Sequence, residues 1–285
     1  MAIYKGNKKV VAVYKGSTPI NKIYKGSTLV FQKSGGGGNT HLIEGTATGN
    51  FNLKINNNQT IPITPDADGK WFYDTDEKIT SLNEAFYNAR AVTSVDLSSF
   101  DPSNLTTADS MFRSSSLVSV DLSSFNTSNL ESASYLFSGC SKLVSLDLSS
   151  FNTSNLKNAS YLFNVCSKLV SLDLSNWNTS NLQNASYLFS GCSSLVSLDL
   201  SSFNTSNLKN ASYLFSGCTS LETLDLSNFD MSKVSSYTFM FNNCKKLTHI
   251  KCKQAFKDWC ITNQDTIKLP TAMREGGSGT WEIVA

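Results

Sequence analysis

The sequence predicts an α/β repeat fold: a stack of short coils with a parallel β-sheet on one face and helical segments on the other. Three observations lead there. Leu97, Leu122, Leu148, Leu174, Leu200 and Leu226 occupy one slot, each directly after an Asp, at a first interval of 25 residues and then at 26. Cys140, Cys166, Cys192, Cys218 and Cys244 recur at 26 residues as well. Near the N-terminus, Tyr-Lys-Gly recurs every ten residues, at Tyr4, Tyr14 and Tyr24. Fixed periods of this length mark units that are each too small to bury an apolar face alone and therefore stack.

Within one copy, Leu143, Leu146 and Leu148 spell L-x-x-L-x-L, in which the alternate side chains of a short strand enter a core while Ser145, Asp147 and Ser149 face out. Leu156, Ala159, Phe163 and Cys166 follow at spacings of 3, 4 and 3, the mark of one face of a helix or of irregular helical turns. Ser128 and Glu131 have the form of a capping box at such a helix start. Phe100, Phe125, Phe151, Trp177, Phe203 and Phe229 form an aromatic column just after the strand, expected in the core. The cysteines read as reduced core residues, and the short copy, MFRSSSLVSV, is expected to lose its Cys slot with the missing residue. The fold class is therefore a leucine-rich-repeat solenoid over residues 79–250, beginning with a partial repeat in which Ala89 stands at the Cys position.

The flanks follow different rules. Residues 1–33 read as a small β-meander with turns near the glycines, a segment too thin to be stable without a partner surface. Residues 34–40, with Gly35 to Gly38, read as a flexible linker. Residues 41–78 alternate at Phe51, Leu53 and Ile55 as a β cap would, and residues 251–285 form a C-terminal cap ending in the alternation of Trp281, Ile283 and Val284. The period is expected to break from His249 onward.

Composition narrows the function. A net charge of +2 and a charged fraction of 16% provide no field for steering nucleic acid. The start, MAIYKGNKKVVAVYKG, lacks the apolar run of a secretory signal, and no stretch is apolar enough to span a bilayer, so neither export by the usual route nor membrane insertion is expected. His41 and His249 lie in no nucleophile motif, and no catalytic residue or cofactor is assigned. Cys244, His249, Cys252 and Cys260 form the one metal-like spacing, against which stands the place of Cys244 in the core column. A Cys252–Cys260 disulfide would staple the cap in an oxidising compartment. Gly276-Gly277-Ser278-Gly279 reads as a turn, not a phosphate cradle. The Asn-x-Ser/Thr triplets at Asn104, Asn126 and Asn152 are expected to satisfy backbone groups in the bends.

The candidate ligand surface is the outward strand face: Asp121, Ser145, Asp147, Ser171, Asp173, Ser197, Asp199 and Asp225. One reading of this row is a strip for Ca²⁺, a basic partner or glycan hydroxyls. The other is a solvated face whose Asp and Ser groups bond each other and nearby backbone.

The run C-S-K-L-V-S-L-D-L-S-S-F-N-T-S-N-L-K-N-A-S-Y-L-F resembles the BspA-type leucine-rich repeat of bacterial surface proteins, with Ala-Ser-Tyr-Leu-Phe where that family usually has Met-x-x-Met-Phe. The resemblance covers about residues 79–250 and implies adhesion to host molecules or other cells. The ten-residue units of residues 1–33 are similar to short repeats in structural proteins of tailed phages. Together they imply a non-enzymatic virion protein, anchored to other virion proteins through residues 1–33, with Tyr4, Tyr14 and Tyr24 as anchoring residues. The solenoid would then project toward a host surface glycan or protein, with a homo-oligomer as a further option. The alternative is a BspA-like adhesin on a bacterial cell surface.

Overall fold

The computed structural model describes short strands within residues 3–32 and then residues 43–284, apart from 57–58, 74–78, 104, 124 and 126. The linker at 34–40, His41 and Tyr14 fall outside the described residues. At the N-terminus β1 (Ile3–Lys5) pairs antiparallel with β2 (Lys8–Val10), and β3 (Lys22–Lys25) with β4 (Thr28–Gln32). The described strands of this segment thus form two two-stranded antiparallel sheets, and residues 11–21 between them, part of the expected meander, lie outside the described residues.

Four strands follow: β5 (Ile43–Ala47), β6 (Phe51–Ile55), β7 (Gln59–Ile63) and β8 (Lys70–Tyr73). Phe51, Leu53 and Ile55 alternate inward and are buried, as their spacing requires. Strand β5 runs antiparallel to both β8 and the first repeat strand, β9 (Val92–Asp96), and β9 pairs in parallel with β10 (Ser119–Asp121). A Cβ on Gly45 would lie 2.0 Å from the Ser94 carbonyl oxygen, so this crossing requires glycine. Phe51, Trp71 and Phe86 pack ring against ring at 5.0–6.2 Å and cover the open end of the repeat core.

From there the copies stack in register. Phe86, Phe112, Phe137, Phe163, Phe189, Phe215 and Phe241 form an unbroken inner column at centroid spacings of 5.4–6.1 Å, every ring essentially without solvent contact. The aromatic column predicted from Phe100 to Phe229 is buried beside it. At the far end β11 (Ser197–Asp199), β12 (Thr223–Leu226), β13 (His249–Lys253) and β14 (Thr280–Val284) form one parallel sheet in that order. Thr223 faces His249 and Leu226 faces Cys252, so the 26-residue register continues through Cys252, beyond the expected break at His249. The break comes with α1 (Gln254–Thr262), which buries Phe256 and Cys260.

The second half of each copy differs from the expected helical segment. It is a run of turns, and among the described residues α1 is the only α-helix. Two left-handed residues per copy are the cause: Tyr135 and Gly139, Tyr161 and Val165, Tyr187 and Gly191, at φ of 58–76°. Such residues stop a right-handed helix. Alternate N–H groups then point to different partners. Those of Ala133, Tyr135, Phe137 and Gly139 donate to Asn158, Ser160, Leu162 and Asn164 of the next copy, while those of Leu136, Ser138 and Cys140 bond three residues back. Parallel bridges at Ser132, Asn158, Asn184 and Asn210 complete the seam. No helix starts at the apparent capping box, where Glu131 instead pairs with Lys157 of the next copy at 2.8 Å.

Cysteine geometry explains the 26-residue thiol spacing. The thiols of Cys140, Cys166, Cys192, Cys218 and Cys244 donate to the carbonyls of Phe112, Phe137, Phe163, Phe189 and Phe215 in the preceding copy, at 3.0–3.2 Å. All seven cysteines are free and buried. The short copy keeps this slot: Ser115 fills it, buried, with its hydroxyl 3.4 Å from the Cys140 sulfur. The missing residue therefore falls after the slot and does not remove it. A hydroxyl is smaller than a thiol and can make the same kind of contact, which is why the column tolerates it.

Candidate binding surface

The outward face is built by alternation, but strands form on it only at 119–121 and 197–199 among these copies: residues 143–148 and 169–174, expected as strands, keep the alternation of inward and outward side chains without forming one. Leu146, Leu148, Leu174, Leu198 and Leu200 point into the core, while Ser145, Asp147, Ser171, Asp173, Ser197 and Asp199 are exposed between them, as is Asp121 one copy earlier. One more column joins them on the solvent side. Val118, Val144, Val170 and Val196 stand 44–53% exposed at the same place in successive copies. The face therefore displays apolar, hydroxyl and carboxylate rows side by side, repeated from copy to copy.

Each Asp of the row closes the bend that follows its strand. Oδ1 of Asp96, Asp121, Asp147, Asp173, Asp199 and Asp225 accepts the backbone N–H of the residue two further on, Ser98 through Ser227, at 2.8–3.0 Å. That is the Asx-turn geometry by which a short carboxylate mimics a backbone turn. These backbone bonds, with help from the seryl hydroxyl, hold the carboxyls of Asp121, Asp147 and Asp173 below the usual carboxylate range. The row therefore has a structural duty, and Asp121, Asp147, Asp173 and Asp199 form an exposed acidic strip. At the C-terminal end the strip is neutralised: Lys251 bonds Asp225 at 3.1 Å and lies 3.9 Å from Glu282, which also meets His249 at 3.2 Å.

The other predicted positions are distributed as follows. Tyr4 and Tyr24 lie in β1 and β3. Cys244 belongs to the thiol column, Cys252 and Cys260 are buried, and His249 bonds Glu282, so the metal-like spacing is not assembled as a site; among the described residues no cluster of three such groups could hold a metal. Burial pushes the thiols up, to about 11 at Cys140 and about 12 at Cys218, so they are not nucleophiles at neutral pH. Asn152 takes the Ser154 N–H on its side chain at 3.0 Å and the Thr127 hydroxyl on its carbonyl at 2.9 Å, both within the bends.

Two features escaped the sequence reading. One is the exposed valine column. The other is a tyrosine ladder on the turn side, where Tyr135, Tyr161, Tyr187 and Tyr213 stack at 4.3–4.4 Å and Phe239 continues the stack at 5.0 Å. Arg113 sits 4.4 Å over the ring of Tyr135 and Lys268 5.6 Å over that of Phe239, closing the ladder with a cation at each end. Burial and the neighbouring phenols raise Tyr161 to about 12. The signal for both columns was recurrence at 26 residues, the same signal that located the cysteines.

These features define a class: a stacked repeat protein that holds itself together along a turn-side seam and displays an unvarying strand face. The chain belongs to the family described as "Mycoplasma protein of unknown function, DUF285", whose model matches residues 80–195 and 162–268. That family occurs in BspA-like surface proteins. No curated protein and no solved structure matches the chain.

Proposed function

We propose that this chain is a non-enzymatic adhesion protein, a leucine-rich-repeat solenoid whose outward strand face docks on surface molecules of a host or neighbouring cell. The observation that carries this reading is the exposed column Val118, Val144, Val170 and Val196, running beside the hydroxyl and carboxylate rows. An apolar side chain repeated at one exposed position from copy to copy supports a docking role for this face, since recurring apolar surface is costly to leave in water. Two carriers are compatible with it. The ten-residue Tyr-Lys-Gly units of residues 1–33 favour a tailed-phage virion, with that segment as anchor to other virion proteins. The resemblance of the repeats to the BspA-type leucine-rich repeat favours a bacterial cell surface.

Binding of the purified, fluorescently labelled chain to intact cells tests the adhesion. Replacing Val144 and Val170 together by Asp is expected to abolish binding while leaving the thermal midpoint unchanged. Unaltered binding by that variant rejects the strand face as the contact. Immunogold labelling then separates the carriers, since label on purified phage particles supports the virion and label on uninfected cells the cell surface.

A further inference from the structure

We infer that the C-terminal cap carries a second binding site, separate from the strand face, for a neutral saccharide. Between α1 and the segment 274–281 lies a cleft of about 630 Å³. One face of the helix lines it: Gln254, Lys257, Asp258, Ile261 and Thr262, at the i, i+3, i+4, i+7, i+8 spacing of a single helical stripe. The buried residues Phe256 and Cys260 lie on the other side; of the stripe, Ile261 packs in part against the core, as does Trp281 across the cleft, and the polar members face the cleft. Arg274, Glu275 and Trp281 form the opposite wall.

The two walls differ in chemistry, and the difference selects the ligand. Trp281 is half-buried, and its indole N–H already donates to the Met273 carbonyl at 3.2 Å, so what the ring offers a ligand is apolar surface. Ile261 extends that surface. Around it stand planar polar groups in fixed orientations. Gln254 Nε2 donates to Asp258 Oδ1 at 2.7 Å, and Arg274 is held by Asp265 at 2.9 Å and by the Leu269 carbonyl at 2.9 Å. Two cationic residues, Lys257 and Arg274, are balanced by two anionic ones, Asp258 and Glu275. A balanced set gives no net attraction for phosphate or for an acidic peptide. It suits a ligand with C–H groups on one face and hydroxyls around its edge, to which carboxylate, amide and guanidinium groups bond in pairs.

The test uses the full chain with tryptophan indole nitrogens labelled, and as probes the methyl glycosides of glucose, galactose, mannose and N-acetylglucosamine. Titration with at least one of them is expected to shift the Trp281 indole resonance, assigned by its loss in Trp281→Phe, and to leave that of the core residue Trp177 in place. Asp258→Ala, at an exposed position, is expected to weaken that binding roughly tenfold or more without changing the thermal midpoint. The Val144 and Val170 variant is expected to bind the glycoside like the parent chain, so the cleft and the strand face stand or fall separately. The proposal is overturned if none of the four glycosides moves Trp281, if inorganic phosphate moves it where the glycosides do not, or if Asp258→Ala binds unchanged.

Discussion

The two halves of each copy share one period and treat it in opposite ways. In the strand half the side chains that repeat outward, Ser145, Asp147 and Val144 and their counterparts, are spent on display or on closing their own bend. In the turn half nearly everything that repeats reaches across to the next copy: backbone N–H groups, thiols, phenol rings and the inner phenylalanines. Cohesion is therefore concentrated on one side of the stack, and the face we propose for recognition lies on the other. A repeat protein built this way can change its display rows with little effect on folding, because the seam that fixes the register lies elsewhere.

Three measurements bear on that division. The largest effect is expected from Phe163→Ala, which removes one ring from the inner column between Phe137 and Phe189. It should cost ~3–5 kcal/mol in urea unfolding. A loss below about 1 kcal/mol would mean that the turn side does not carry the stability.

A smaller effect of opposite sign is expected at Val165. This exposed β-branched residue holds the left-handed position, at φ 58°, that Gly139, Gly191 and Gly217 hold in neighbouring copies. Val165→Gly should stabilise the chain by ~1 kcal/mol in the same assay, and no gain would show that the seam tolerates the strain without cost.

The smallest effect belongs to the display side and depends on pH. The carboxyls of Asp121, Asp147 and Asp173 are lowered in the folded chain, so their contribution is complete above the ordinary value of 3.8 and is lost as pH falls below it through the folded values. The thermal midpoint of the parent should fall more steeply between about pH 4 and about pH 2 than that of a triple Asp→Asn variant, whose amides keep the acceptor without the charge. Parallel curves for the two proteins would remove the Asx bends from the account.

How much of this was legible in the sequence divides along the same line. The Asp and Leu slots of the strand half were readable because an alternation of two has one structural meaning. The 3-4-3 spacing of Leu156, Ala159, Phe163 and Cys166 has two, since stacked turns with left-handed residues four apart bring the same side chains inward as a helix does. Nothing local announces that Tyr161 sits at positive φ, a conformation rare for any residue but glycine. It is imposed by the neighbouring copies, whose rings and carbonyls the residue meets. The Cys slot in the short copy was misplaced for a related reason: Ser115 does the thiol's work, and a chemically similar replacement hides a slot from a search for cysteine. The cleft was invisible because its walls, α1 and residues 274–281, are joined by folding and not by spacing.

The cations that close the tyrosine ladder have a consequence for length. Arg113 and Lys268 each cover a terminal ring, and between them successive rungs are near-equivalent, so a further copy could be inserted, or one removed, without exposing a new end. Each such change would move the C-terminal cap relative to the cap strand β5 by about 4.8 Å, the spacing of adjacent strands. The molecule is in effect a ruler graduated in 26-residue steps, and the separation of its two caps is a length that recombination between its own repeats can set.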